Sequence, residues 1–169
     1  GHHKVKVFQK DGTYVRSFTT LKSDGATAYY PHDLCFVGSR IAVAYGGGSY
    51  GHFVRIHETN GTQVNTFGTG EVGSSDGQFD RAYYVATDAA GNLLVSDHYN
   101  HRIQVFDANG TYLRKFGFKG DQYFDPTGLL VDEAGNLYVA DLHNNTIRKI
   151  DYHSGIITRV AGSGRRGRG

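Results

Sequence analysis

Asp97-His98-Tyr99-Asn100-His101-Arg102-Ile103-Gln104-Val105-Phe106-Asp107-Ala108-Asn109-Gly110-Thr111-Tyr112-Leu113-Arg114-Lys115-Phe116 reads as a polar loop, an alternating run, an Asn-Gly turn and a second alternating run. Period-two alternation over five or six residues is the pattern of a half-buried strand, and Asn-Gly between two such runs is the strongest short-range hairpin signal. The arrangement recurs. Turns stand at Asp11-Gly12, Asn60-Gly61, Asn109-Gly110 and Ser154-Gly155, with glycines 49, 49 and 45 residues apart. Alternating runs precede them at 4–8, 53–57, 102–106 and 146–150, and follow them at 13–18, 62–67, 111–116 and 156–160.

A second hairpin precedes each of the last three. Its clear copies are Tyr84–Asp88, Ala89-Ala90-Gly91-Asn92, Leu93–Asp97 and Leu129–Asp132, Glu133-Ala134-Gly135-Asn136, Leu137–Asp141. A degraded copy runs through Leu34–Val37, Gly38-Ser39-Arg40 and Ile41–Tyr45. The first strands of these hairpins are apolar at nearly every position, which predicts burial of both their faces near the middle of a stack. The unit is four strands, a to d, in about 45 residues. A fixed period of this length fits a propeller blade better than a sandwich, which does not repeat itself. The expected fold is all-β: four-stranded antiparallel blades, about three and a half of them, with essentially no helix.

Composition agrees. Of 169 residues, 24 are Gly, 12 Tyr and 10 Phe, as many short strands joined by tight turns require. Hydrophobic residues are 38% and charged residues 20%, enough to bury a core. No apolar run approaches the roughly 20 residues of a membrane helix, so no membrane partner is expected. The single Cys excludes an internal disulfide and a multi-Cys zinc site and leaves the compartment open. With a net charge of only +2 the chain as a whole is not a polyanion-binding tail, so nucleic-acid binding would need a local patch.

Asp97 through Asp107 resembles the NHL repeat signature: an Asp, then Asn-His-Arg, then a strand. Asp141-Leu142-His143-Asn144-Asn145-Thr146-Ile147 is a looser copy. Gly77-Gln78-Phe79 and Phe124-Asp125-Pro126-Thr127-Gly128-Leu129 are similar to the segment that opens each such repeat. The resemblance to the NHL domains of tripartite-motif proteins and bacterial NHL-repeat proteins implies a β-propeller, usually six-bladed. It also implies that the b–c and d–a connections form one ligand-binding face.

In this frame residues 3–18 are a half blade (strands c and d), 30–67, 79–116 and 124–161 are blades, and 162–169 is an Arg/Gly-rich end. The content is 14 strands against the 24 of a closed six-blade ring. The chain is thus expected either to be a piece of a longer propeller or to close by self-association through open blade edges, whose unpaired N–H and C=O groups invite another strand. Gly1-His2 also fits the remnant of a purification tag.

Asp97, Asn100 and Arg102, with Asp141 and Asn144, are read as the structural repeat motif: Asp and Asn bond turn backbone and Arg pairs nearby. The ligand-face candidates are Tyr30, His32, Tyr50, His52, Arg81, Tyr83, His98, Tyr99, His101, Lys119, Gln122 and His143. Rings interleaved with Arg, Lys, His and Gln suit single-stranded RNA, whose bases stack and whose phosphates meet cations. Arg165-Arg166-Gly167-Arg168-Gly169 fits either an RNA-contacting arm or simply the next loop. No metal site, cofactor or catalytic residue is expected: the histidines fall in separate blades, and no nucleophile elbow or phosphate loop is present. The expected role is a non-catalytic binding or scaffold module, with RNA or a protein as partner. Two alternatives stay open. One is a protein- or glycan-interaction propeller, extracellular if Asn60, Asn109 or Asn144 carries a glycan. The other is part of a propeller lyase or lactonase.

Overall fold

The computed structural model describes residues 3–19, 29–46, 51–117, 124–162 and 164. Fourteen strands lie among them: β1 Lys4–Phe8, β2 Tyr14–Thr19, β3 Asp33–Val37, β4 Arg40–Tyr45, β5 Phe53–His57, β6 Gln63–Phe67, β7 Ala82–Thr87, β8 Leu93–Asp97, β9 Arg102–Phe106, β10 Tyr112–Gly117, β11 Pro126–Val131, β12 Leu137–Asp141, β13 Thr146–Ile150 and β14 Ile157–Ala161. The helical content among the described residues is one 3-10 turn, His98–Asn100. β1 and β2 form a two-stranded sheet, and β3–β6, β7–β10 and β11–β14 form three four-stranded antiparallel sheets in sequence order. β7 packs against both β3 and β11, so the first strands of the three full blades line the inner edge of the stack. The fold is that of β-propeller blades.

Each c–d hairpin closes by the chemistry of its turn residues. Gly110 sits at φ +92°, a conformation that costs a residue with a Cβ about 1–2 kcal/mol. The Asp107 carboxylate accepts the N–H groups of Asn109 (2.9 Å) and Thr111 (2.8 Å). Asp88 and Asp132 cap the a–b turns of their blades in the same way, each also holding the side-chain amide of the Asn four residues on.

The turn glycines have a second task. A Cβ on Gly61 would stand 2.7 Å from Phe18, a Cβ on Gly110 would strike the Phe67 ring, and one on Gly155 would touch Phe116 at 3.9 Å. Phe18, Phe67 and Phe116 occupy equivalent positions in the last strands of successive blades. Each therefore seats under the turn of the following blade, and the glycine spacing is also the spacing of an inter-blade contact.

Burial corrects one expectation. Both faces are buried in β8 and β9, and nearly so in β4 and β5, rather than in the first strands. Leu93, Val95 and Phe106 pack against Ala42, Ala44, Val54 and Ile56 of the preceding blade. From the opposite face, Leu94, Ile103 and Val105 pack against Leu137, Val139 and Ile150 of the following one. Among the first strands, Leu34 and Phe36 are 48% and 63% exposed, and Leu130 is 66% exposed. Leu34 and Phe36 share a face with Val43 and Ile41, on the side of the two-stranded sheet, where no inner strand covers them among the described residues. Leu130 stands on the face of β11 turned away from the third blade.

Gly110→Ala and Gly12→Ala separate backbone strain from inter-blade packing, because Gly12 (φ +88°) has nothing within 4 Å of its added Cβ. Denaturant titration should show both variants losing the strain term, about 1–2 kcal/mol. Gly110→Ala should lose a further 1–3 kcal/mol or so through overpacking on Phe67. Equal losses would contradict the contact.

Candidate ligand-binding face

The face is built upward from one buried carboxylate. Asp97 ends β8 opposite Arg102, the first residue of β9. With the Asp97 side chain fully buried, its oxygens accept from Arg102 Nε (2.7 Å), Asn100 Nδ2 (3.0 Å), Gln104 Nε2 (3.1 Å) and the N–H of Asp80 (2.7 Å). Burial pushes the Asp97 carboxyl up to about 6, and Arg102, the Asp80 N–H and Asn100 pull it back toward ionisation. Arg102 also donates to the carbonyls of Ser75 and Gln78, tying the d–a connection to the same point. The fourth blade repeats the device with its cation moved two residues along: Asp141 accepts from Arg148 Nε (2.5 Å) and Asn144 Nδ2 (2.9 Å). The second blade replaces it, since Tyr45 and Phe53 stand in the register of Asp97 and Arg102 with rings 5.0 Å apart.

This network holds the 3-10 turn His98–Asn100 against the segment that opens the blade. His98 N–H donates to Arg81 O (3.2 Å) and Tyr99 N–H to Asp80 O (3.1 Å). His101 closes the turn at φ 54°, as Asn145 (φ 51°) does in the fourth blade, and His3 (φ 69°) holds the equivalent position before β1. Arg81 is also left-handed, at φ 67°. Its N–H donates to His52 Nδ1 of the preceding blade (3.0 Å), which holds it there.

Pinned in this way, five of the residues anticipated from sequence form one row of flat groups. Ring centroids lie 4.4 Å apart for His32 and Tyr83, 4.9 Å for Tyr83 and His98, and 5.0 Å for His98 and Tyr99. The Arg81 guanidinium lies 4.3 Å over the Tyr99 ring and donates to the Tyr83 hydroxyl at 3.0 Å. Gly46 leaves room for the row, since a Cβ there would strike the Tyr83 side chain. Tyr99 is 48% exposed, and His32 is exposed too. Partial desolvation of the ring by its neighbours, then Arg81, hold the His32 imidazole below its ordinary range. Burial does the same to His98 against the opposing pull of Asp125, whose Oδ1 lies 2.7 Å from His98 Nδ1.

The other candidates lie elsewhere. Tyr30 packs edge-on against His3, at 4.2 Å. His52 and His101 each contact the next blade: His52, which is buried, through Arg81, and His101, which is half-buried, through Nδ1 to Phe124 O at 2.9 Å. His143 is exposed in the β12–β13 turn. Tyr50, Lys119, Gln122 and residues 165–169 lie outside the described residues. Sequence reasoning missed Asp80 and Asp125. Both directly follow the Phe that opens a blade, and both donate their N–H to the buried Asp at the end of that blade's b strand. That register was the available signal. Among the described residues no three His, Cys, Asp or Glu side chains come together as metal ligands. Burial raises the Cys35 thiol to about 12, which makes it a poor nucleophile.

Residues 85–106 match the NHL repeat. A search of curated proteins finds no match. Among solved structures, the chain is similar to virginiamycin B lyase from Staphylococcus aureus, at 17% identity and TM-score 0.68 over 94% of this chain and 48% of that one. It is also similar to a catalytically inactive variant of that lyase determined with quinupristin (16%, TM-score 0.70, 94% and 48%). A third similarity is to the extracellular domain of what is described as a one-component system from B. thetaiotaomicron (14%, TM-score 0.62, 95% and 22%). The chain spans about half the length of the lyases it matches. At these identities the likeness shows the fold alone.

Two measurements test this face. Asp97→Ala leaves the Arg102 guanidinium buried without its carboxylate and should cost about 3–5 kcal/mol in denaturant titration; a loss below 1 kcal/mol or so would contradict the network's role. The imidazoles of His32, His52, His57 and His98 are all depressed, with burial the leading cause of each. The unfolded chain therefore takes up protons first, so stability is full above about pH 6.5 and falls as pH drops through the depressed values. His52→Gln keeps an acceptor for Arg81 N–H and should flatten that decline; an unchanged slope would contradict the assignment.

Proposed function

We propose that the row His32, Tyr83, His98, Tyr99 and Arg81 binds single-stranded RNA, with a base stacking at the Tyr99 end and Arg81 meeting a phosphate. The observation that supports this reading is the Arg81–Tyr99 pair, which joins a partly exposed ring and a cation on a backbone held in left-handed φ by His52. Outlying backbone conformations over-determined by their surroundings cluster at ligand sites. Base-on-ring stacking contributes about 1–3 kcal/mol per base and tolerates any sequence, and phosphate contacts make affinity fall with salt. His32 and His98, uncharged at neutral pH, add flat surface and gain charge only on acidification.

Filter binding of a mixed-sequence single-stranded RNA at two salt concentrations tests the proposal. Saturable binding that weakens at the higher salt is expected, and Tyr99→Ala should reduce affinity roughly 5- to 150-fold. Arg81→Gln should weaken binding and shallow the salt dependence. Binding that is absent, insensitive to salt or indifferent to Tyr99→Ala would sink it. One observation favours a second reading, a lyase chemistry like that of the similar enzymes: the contact between His98 and Asp125, the pairing of a general base with a carboxylate. Consumption of quinupristin by the chain, lost in His98→Gln, would establish that reading in place of RNA binding.

A further inference from the structure

We propose that Arg81 receives a single terminal phosphate, so that the row of rings takes the phosphorylated end of an RNA strand rather than an internal run. This inference rests on the RNA reading above and narrows it. Arg81 is an added residue. Asp80 and Asp125 hold matching places, each donating its N–H to the Asp that ends the second strand of its blade. Ala82 pairs with Asp97, and Pro126 pairs with Asp141. Pro126 directly follows Asp125, whereas Arg81 stands between Asp80 and Ala82. The third blade thus carries one residue here that the fourth lacks. It is held in left-handed φ (67°), with its N–H on His52 Nδ1.

The guanidinium has donors to spare. Nη1 donates to the Tyr83 hydroxyl at 3.0 Å. The other edge, Nε with Nη2, has no hydrogen-bond partner and no ion pair among the described residues. That edge is the fork that grips two oxygens of one phosphate. The Tyr99 ring, 4.3 Å from the guanidinium, puts a stacking surface within one nucleotide of that phosphate. The surroundings oppose a run of phosphates. Arg81 is the one cation of the row at neutral pH, because desolvation holds the His32 and His98 imidazoles below their ordinary range. Carboxylates flank it: Asp80 Oδ1 lies 3.8 Å from His52 Nδ1, and Asp125 Oδ1 lies 2.7 Å from His98 Nδ1. A terminal phosphate monoester concentrates roughly −1.5 to −2 charge on three oxygens at pH 7, so it gains more from one guanidinium than a diester does.

The test compares one single-stranded RNA sequence in three forms, with a 5′-phosphate, with a 3′-phosphate and with neither, by filter binding to the intact chain. One phosphorylated form should bind roughly tenfold or more tighter than the unphosphorylated form, and which one it is identifies the end. Its log K should fall with log salt at a slope of about −0.7, as one neutralised charge on a single strand requires. A nucleoside monophosphate should compete with it. Arg81→Gln should bind all three forms alike and keep the remainder that depends on Tyr99, which a misfolded variant would not do. Equal, salt-sensitive binding of the three forms would overturn this inference and leave the RNA reading standing. A slope of about −2 or steeper, or no competition by the monophosphate, would overturn the single-phosphate footprint in the same way. Binding by none of the three would overturn both.

Discussion

Burial of both faces of the middle strands between neighbouring blades is the constraint on which the rest of this structure depends. β8 contributes Leu93 and Val95 to one core and Leu94 to another. Neither cluster exists within a single blade, because a four-stranded sheet has two apolar faces and cannot cover either by itself. The Phe-under-glycine contacts at Gly61 and Gly110 fix how one blade sits on the next, since both backbone conformation and space exclude a side chain there. Leu34, Phe36 and Leu130 show the converse: they are of the same chemical type but stand exposed where no strand among the described residues covers them.

The ligand-binding face is a consequence of this packing. Asp97 brings three side-chain donors and a backbone amide to one buried point at the sheet's end, so the 98–101 turn and the Asp80–Arg81 segment have one arrangement relative to each other. A buried charge that is paired and hydrogen-bonded in this way is costly to disturb, which makes it a position-setting device more than a source of net stability. The second blade, with Tyr45 and Phe53 in those places, lacks that device. The row of rings is accordingly centred on the third blade, which is also the one that matches the NHL repeat.

Much of this was legible in the sequence because hairpin turns and strand alternation are local. The Asp-Gly and Asn-Gly turns, the intervals between them and the loop near Asp97 follow from residues close in the chain. What was not legible depends on contacts between blades. Apolar runs such as Leu34–Val37 carry no mark of which face a neighbour covers, so burial was assigned to the first strands when it belongs to the second and third. The inter-blade contacts of His52 and His101 were likewise hidden, because a polar ring in a loop has no visible partner in sequence. Their partners, Arg81 N–H and Phe124 O, lie 29 and 23 residues away on the next blade. Asp125 escaped notice for the same reason: it meets His98 only once two blades are side by side.

Native-state hydrogen exchange, resolved by strand, tests the central claim most directly, because local opening follows the burial that each strand enjoys. If inter-blade burial holds the fold, amides of β8 and β9 exchange last and together, while those of β2 and β14, on the outer edges, exchange early. Exchange of β8 and β9 at the rate of β14 would mean that each blade stands on its own hydrogen bonds, and would contradict inter-blade burial as the source of the fold's stability.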